Sequence, residues 1–364
     1  MNILAIETSC DETAAAVIGD EAKILSNVVV SQIDIFATYG GVIPEVAARS
    51  HLEAILPVIH QALDDAGLAK DDIDCIAVTY APGLLGSLLI GTLTARTLAI
   101  LWHKPLYAVH HLKSHIYSNW LHDDINQDHT NLPNFPLMAL VISGGHTQII
   151  YMPEHNKFEI VGTTRDDAVG ECFDKIAKIL GLPYPGGPSI ARAAEHGNSN
   201  KYKFPHPKVD GLDFSFSGLK TAVLRAVQAD CNLPITTPSY ELAKHLTGRQ
   251  RADFAASFQA TACDILLEKL QIALEGHPEA RAAVFAGGVS ANQVLRQKAL
   301  VGPKKSLRSD FWHPHAGLQV FFPEPRFSGD NAAMVGAAAY YEIISGSQAV
   351  DPYKLNILPR TPIK

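Results

Sequence analysis

Residues 137–151 read Leu-Met-Ala-Leu-Val-Ile-Ser-Gly-Gly-His-Thr-Gln-Ile-Ile-Tyr, and the reading of this stretch decides the fold. Its first six residues are an unbroken apolar run of strand length. Ser143-Gly144-Gly145-His146-Thr147 is a small polar turn, and residues 148–151 open a second strand. The chain begins on the same plan. Residues 3–7 are apolar, Thr8-Ser9-Cys10-Asp11-Glu12-Thr13 is a polar turn, and residues 14–18 form a strand that ends at Gly19-Asp20. A strand–turn–strand unit that returns more than a hundred residues later predicts two halves built alike.

Outward from these units, strands and helices alternate. The sequence predicts a strand at 28–31, a loop at 39–44, and a helix over 45–66 with a kink or break at Pro57. A strand at 75–80, a Pro82-Gly83 turn, a buried helix over 84–102 and a short strand at 105–109 follow. That order is an α/β layer architecture. Residues 84–102 are apolar enough to suggest a membrane span, but Arg96, Ser87 and three threonines lie within them, and an Arg in a span is expensive. Residues 123–134 are polar and turn-rich, as a linker or surface loop would be. Further on, helices are expected at 167–180, 221–229, 251–274, 293–300 and 332–344, with a strand at 282–286. Residues 302–322 are irregular and 351–364 Pro-rich and extended. The expected halves are 1–134, completed by 326–364, and 135–325.

The chain has 364 residues, 47% hydrophobic and 18% charged, which describes a globular protein with a sizeable core. Five scattered cysteines with no Cys-x-x-Cys pair fit a reducing compartment better than a disulfide scaffold. The first residues pass straight into a strand with no signal or transit pattern, so the expected location is cytoplasmic, with no membrane partner. A net charge of −7 argues against a protein that simply coats nucleic acid. Contact with nucleic acid would need a local basic patch, such as Lys175, Lys178, Lys201, Lys203, Lys208, Lys220 and Arg225, or a second subunit.

Chemistry concentrates in a few places. Val-His-His-Leu-Lys-Ser-His-Ile-Tyr, residues 109–117, sets His111 and His115 one helical turn apart, where two imidazoles can grip one divalent ion. The same spacing also occurs on ordinary helices. Asp330, in a turn before the last helix, would complete a two-His, one-carboxylate set that leaves positions open on Fe(II) or zinc, although a residue there also serves as a helix N-cap. His146, His313 and His315 are further candidate ligands. A metalloprotease helix would read His-Glu-x-x-His, and Leu112 stands where its general base should be. A Gly-x-Ser-x-Gly elbow is also missing, which removes the serine hydrolases. Three glycine- or hydroxyl-rich loops, 8–13, 143–147 and 287–292, follow apolar strands. Such loops let backbone N–H groups approach a phosphate, and they favour a nucleotide ligand though none fits a Walker or dinucleotide fingerprint.

Taken together, Ile6 to Thr13, the His111/His115 pair, Val141 to Thr147, Phe173-Asp174-Lys175, Tyr184 to Pro188, Phe214 to Lys220, Ala286 to Asn292 and Gly329 to Met334 resemble the tRNA N6-adenosine threonylcarbamoyltransferase family, in order and over nearly the whole chain. The resemblance implies a two-lobed actin/sugar-kinase/Hsp70-like α/β fold with duplicated mixed-sheet halves and a ligand cleft between. It implies transfer of a threonylcarbamoyl group from threonylcarbamoyl-AMP to N6 of the adenosine 3′ of the anticodon, in tRNAs reading codons that begin with A. It carries metal ligation onto His111, His115 and Asp330, and substrate contacts onto Val141, Ile142, Ser143, Gly144, Gly145, Asp174, Gly187 and Asn292. One divalent metal per subunit is expected, Fe(II) before zinc. The expected partners are tRNA, a smaller paralogue of the same fold and a P-loop ATPase. Glu12 and Ser9, on the first turn, are placed to position the acceptor amine, and Cys10 reads as packing rather than nucleophile. Two rivals remain: a small-molecule kinase of the same fold, which would phosphorylate a hydroxyl from ATP, and a nucleotide-binding scaffold indifferent to the His pair.

Overall fold

The computed structural model describes residues 1–123, 132–301 and 312–363. Most of the predicted linker at 123–134, and half of the irregular stretch at 302–322, lie outside these residues. The chain divides into two compact units. One is formed by Met1–Phe135, Met152–Phe158 and Pro323–Lys364, the other by Pro136–Tyr151 and Glu159–Phe322.

The first unit is built on a five-stranded mixed sheet. Strand β1 (Ile3–Glu7) pairs antiparallel with β2 (Glu12–Ile18), and β2 with β3 (Ile24–Ser31). On its other side β1 pairs parallel with β4 (Cys75–Ala81), and β4 with β5 (Leu106–His110). The order is β3-β2-β1-β4-β5. Three helices connect these strands: α1 (Ile33–Tyr39), α2 (Pro44–Ala66) and α3 (Leu85–Trp102). Helix α1 was not expected, because its seven residues are too few to show a period. Pro57 does not break α2. It lies on the exposed side, where water can serve the carbonyl that its missing N–H leaves unbonded. The expectation of a buried helix at α3 is corrected: one face is buried and another exposed. Its Ser87, Leu88, Gly91, Thr92, Ala95 and Ala99 face inward, while Leu85, Leu89 and Leu93 are exposed. By length and composition α3 could cross a membrane. Here its inner face packs on α2 and β4.

Strand β5 runs straight into α4 (His111–Tyr117). The second unit then repeats the plan of the first. Its strands are β6 (Leu137–Ile142), β7 (Thr147–Met152) and β8 (Glu159–Thr163), followed much later by β9 (Ala282–Ala286) and β10 (Gln319–Phe321). The order is β10-β9-β6-β7-β8, with β7–β8 antiparallel and β6–β9 and β9–β10 parallel. Position for position this is the order of the first sheet, so the two turns noticed in the sequence hold equivalent places. The helices here are α5 (Val169–Leu180), α6 (Gly186–Ala194), α7 (Ser217–Asp230), the short α8 (Ser239–Leu242), α9 (Gly248–Gly276) and α10 (Gln293–Val301). Helix α9 starts with a capping box, Thr247 accepting from the Gln250 N–H and Gln250 from the Thr247 N–H. The core holds Phe173, Phe214, Phe216, Phe254, Phe258 and Phe285, each almost fully buried. Each such side chain contributes about 1.5–3 kcal/mol of burial free energy.

The last helix, α11 (Ala332–Ile344), packs in the first unit against β1, β2 and α4. Gly336 permits that approach. A Cβ there would stand 2.4 Å from Ile18 Cγ1 and 3.3 Å from the Ala5 Cβ.

Candidate metal centre and glycine-rich loops

Parallel strands β4 and β5 carry α4 to the C-terminal edge of the first sheet, and α11, lying across β1 and β2, brings the turn before it to the same place. His111 and His115 on α4 and Asp330 before α11 therefore converge, with one ligand atom from each within 4.8 Å of the others. His115 Nε2 is 3.1 Å from Asp330 Oδ1, and His111 Nε2 is 3.6 Å from it. Ligands about 2.1 Å from one ion, in tetrahedral or octahedral arrangement, stand roughly 3.0–3.4 Å apart, so the spacing fits a single divalent metal.

Two further observations support the fit. His115 is buried, yet neither of its ring nitrogens makes a hydrogen bond among the described residues. At 3.1 Å from Asp330 its Nε2 has the distance of a hydrogen bond without the angle, as expected of two lone pairs aimed at a third atom. Asp330 is also not the cap of α11. Asn331 is, its Oδ1 accepting from the Met334 N–H at 3.0 Å.

Sequence reasoning missed Glu7. This residue is completely buried at the end of β1, and its Oε2 accepts from His111 Nδ1–H at 3.1 Å and from Thr79 Oγ at 2.6 Å. Its Oε1 accepts from the Ser9 N–H. With Nδ1 turned toward Glu7, Nε2 is the ring nitrogen that faces Asp330 and His115. Burial pulls the His111 pKa down, but the Asp330 and Glu7 carboxylates outweigh it and push it up to about 9, so the metal-free ring is protonated and an ion binding at Nε2 displaces that proton. Burial pushes Glu7 up, but the charge and hydrogen bond of His111 and the Thr79 hydroxyl together outweigh it and hold the carboxyl below its ordinary value. The only sequence signal for Glu7 was an acid inside an otherwise apolar strand. Ser9, expected to meet a substrate amine, instead lies buried with Oγ 3.1 Å from His111 Nδ1. Glu12 opens β2 and accepts from Ser31 Oγ at 3.1 Å. Its burial, with the Asp330 and Asp11 charges, raises its carboxyl well above the ordinary range. Burial and the same two acids raise the Cys10 thiol, so it remains protonated and is no nucleophile.

In the second unit the expected substrate residues fall at the end of β6, on α5, at the start of α6 and in the loop after β9. Val141 and Ile142 are fully buried on β6, so only their backbone could meet a ligand. The turn that follows is closed by Ser143 N–H to the His146 carbonyl and His146 N–H to Ser143 Oγ. Gly144 and Gly145 are exposed, with open space where a Cβ would stand. Asp174 on α5 accepts from the Gly186 N–H at 2.6 Å, which ties α5 to the start of α6, and Gly187 beside it also has open space. Gly287 has φ +87°, and a Cβ there would lie 2.5 Å from the Ile142 carbonyl oxygen, so β9 ends hard against β6. Asn292 caps α10, accepting from Val294 and Leu295 N–H and donating to Gln259. Of the sequence's other candidates, His146 lies in the β6–β7 turn, His315 bonds the Ala280 carbonyl, and Lys175 is held by Asp167 and Glu171 rather than free in a basic patch.

Two sheets of one strand order, with a small polar turn at matching strand ends of each, define an α/β protein of the actin/sugar-kinase/Hsp70 class. Full-length HypF, in its phosphate- and nucleotide-bound form, shares this fold with a TM-score of 0.54 and 13% identity; the match covers 95% of this chain and 47% of that one. The chain belongs to the tRNA N6-adenosine threonylcarbamoyltransferase family, whose pattern matches residues 23–337. It is 45% identical over 366 aligned residues to the tRNA N6-adenosine threonylcarbamoyltransferase of Moorella thermoacetica, covering 100% of this chain and 97% of that protein. It is 46% identical to that of Symbiobacterium thermophilum, covering 93% and 91%. The chain is thus a transferase acting on tRNA, and the kinase reading is set aside.

Proposed function

We propose that this protein transfers the threonylcarbamoyl group of threonylcarbamoyl-AMP to N6 of the adenosine 3′ of the anticodon in tRNAs reading codons that begin with A. The products are threonylcarbamoyladenosine and AMP. The N6 nitrogen attacks the carbonyl carbon of the mixed anhydride, the new C–N bond forms, the C–O bond to phosphate breaks, and the amine loses one proton. The observation that carries the reading is the convergence of His111, His115 and Asp330 in a chain that matches the transferases end to end.

The donor is already activated, so the protein's tasks are to hold it, orient it and meet developing charge. The Ser143-Gly144-Gly145 turn offers backbone N–H groups to phosphate, Asp174 a carboxylate to ribose hydroxyls, and Gly187 and Asn292 the remaining contacts. Glu12, in its ionised form, holds the acceptor amine and takes its proton. His111, His115 and Asp330 hold one divalent ion, Fe(II) or zinc, which when bound supplies a Lewis acid for phosphate or carbonyl oxygens.

A smaller paralogue of the same fold and a P-loop ATPase are the proposed partners, in the cytoplasm. Support for the paralogue comes from α2 and α3, which touch where Ala48 meets Gly86 and carry exposed Leu52, Leu56, Leu85, Leu89 and Leu93. The test is reconstitution with both partners, unmodified tRNA, threonine, bicarbonate, ATP and an adenylate-forming synthase, with the nucleosides read by mass spectrometry. Threonylcarbamoyladenosine formed by the wild type and lost in His115→Ala supports transfer and metal together. No product from the wild type, with every other component shown active, overturns the reading.

A further inference from the structure

Helix α4 carries both histidine ligands and is only seven residues long. A helix that short has no stability of its own and depends on its caps and packing. Its N-cap is His110, whose side chain accepts from the Leu112 N–H through Nδ1 at 3.3 Å. An imidazole can accept at Nδ1 only when that nitrogen carries no proton, which in the neutral ring puts the proton on Nε2. His110 Nε2 lies 3.2 Å from the carbonyl oxygen of Thr361, to which it donates. The ring is nearly fully buried.

Thr361 lies in the Pro-rich segment 351–363, which runs back over the first unit. Just before it, Val350 N–H donates to the Leu106 carbonyl on β5; within it, Leu358 N–H donates to the Tyr80 carbonyl on β4, and the Pro359 carbonyl accepts from Gly83 N–H. Ile363 is buried at its far end. The chain is thus tied to β5 just before the segment and to β4 and the loop into α3 within it, and then reaches the residue that caps α4.

We propose that segment 351–363 is a strap that positions the metal ligands: the Thr361 carbonyl fixes the tautomer and orientation of His110, and His110 in turn caps α4 and holds His111 and His115 in register. His110 is a positioning residue and does not touch the metal. The inference rests on the reading of His111, His115 and Asp330 as a metal site, and the test separates the two.

Zinc(II) affinity is measured by chelator competition on the full chain, with circular dichroism confirming the fold of each variant, and with hydrogen exchange at the Leu112 and Lys113 amides. Four proteins are compared with the wild type: His110→Ala, His110→Asn, a truncation lacking residues 359–364, and the truncation combined with His110→Asn. Asn offers a side-chain oxygen to the Leu112 N–H without needing Thr361. The expected result is that His110→Ala and the truncation each weaken zinc binding about tenfold and speed exchange at Leu112, while His110→Asn stays within about threefold of wild type. In the Asn background the truncation should cost nothing further, because the cap no longer depends on the strap. Zinc affinity unchanged in His110→Ala or in the truncation overturns the proposal. So does a loss in His110→Asn equal to that in His110→Ala, or an undiminished effect of truncation in the Asn background. A wild type that does not bind zinc or Fe(II) overturns the metal site itself.

Discussion

Glu7 is an acceptor on every side. Ser9 N–H, Thr79 Oγ–H and His111 Nδ1–H all donate to its two oxygens in a site closed to water. A carboxylate can satisfy three donors, whereas an amide must turn an NH2 group toward at least one of them. Glu7→Gln, nearly the same in shape, should therefore cost about 1–3 kcal/mol of stability through the unsatisfied buried donors. It should also lower zinc affinity about ten- to a hundredfold, since His111 loses the anion that sets its tautomer. Urea unfolding and chelator competition measure the two effects. A Gln variant with wild-type affinity would show that Glu7 is packing only.

At the scale of elements, the position of Asp330 is set by how closely α11 lies on the first sheet. The helix is rich in buried alanine, and Gly336 is the point of closest approach, with Ile18 2.4 Å from where a Cβ would be. Gly336→Ala raises helix propensity but leaves the new methyl nowhere to go, since the obstruction is the stem of a core side chain on β2. We expect a net destabilisation of about 1–3 kcal/mol, read as a lower urea midpoint, together with weaker zinc binding as α11 and Asp330 shift outward. Stability equal to wild type would mean that the helix slides without strain and that Asp330 is held by its own turn.

Two predictions belong to the whole molecule. Segment Met152–Phe158 belongs to the first unit although the strands on either side belong to the second. Its His155 stacks on Tyr341 with centroids 4.4 Å apart and sits edge-on to Phe135 at 4.5 Å. Burial lowers its pKa from 6.5 to about 4. Between those values the unfolded chain binds a proton that the folded protein refuses, so the stabilisation is complete above pH 6.5 and lost as pH falls toward 4. Because the ring is partly solvated, the loss should be about 1–2 kcal/mol. Urea unfolding at pH 7.5 and pH 5 should show it in the wild type and a smaller drop in His155→Phe; equal drops would assign the pH dependence elsewhere. The second prediction concerns the leucines of α2 and α3, with Leu52 65% and Leu85 59% exposed. Leu89→Asp should abolish co-elution with the smaller paralogue while leaving zinc affinity and the monomer's urea midpoint unchanged. A heterodimer that survives this substitution would move the partner to another surface.

The strand–turn–strand units and the His111/His115 pair are legible in the sequence because each is written within some twenty residues, where periodicity and turn chemistry act directly, and the repeated plan follows from comparing two such local units. Family likeness carried Asp330 onto the metal, but the residues around it allowed a cap as readily as a ligand. The packing of α11 gives that cap to Asn331. Glu7 and His111 are 104 residues apart, and His110 and Thr361 are 251 apart. No local pattern records which buried acid faces which imidazole, or which carbonyl a cap requires. The same limit explains α3, whose composition says apolar throughout while its neighbours leave one row of leucines uncovered. Sequence thus determined which elements form and the chemistry they could carry. Tertiary structure decided which donors meet which acceptors, because pairing in a closed core is settled by distance in space and not along the chain.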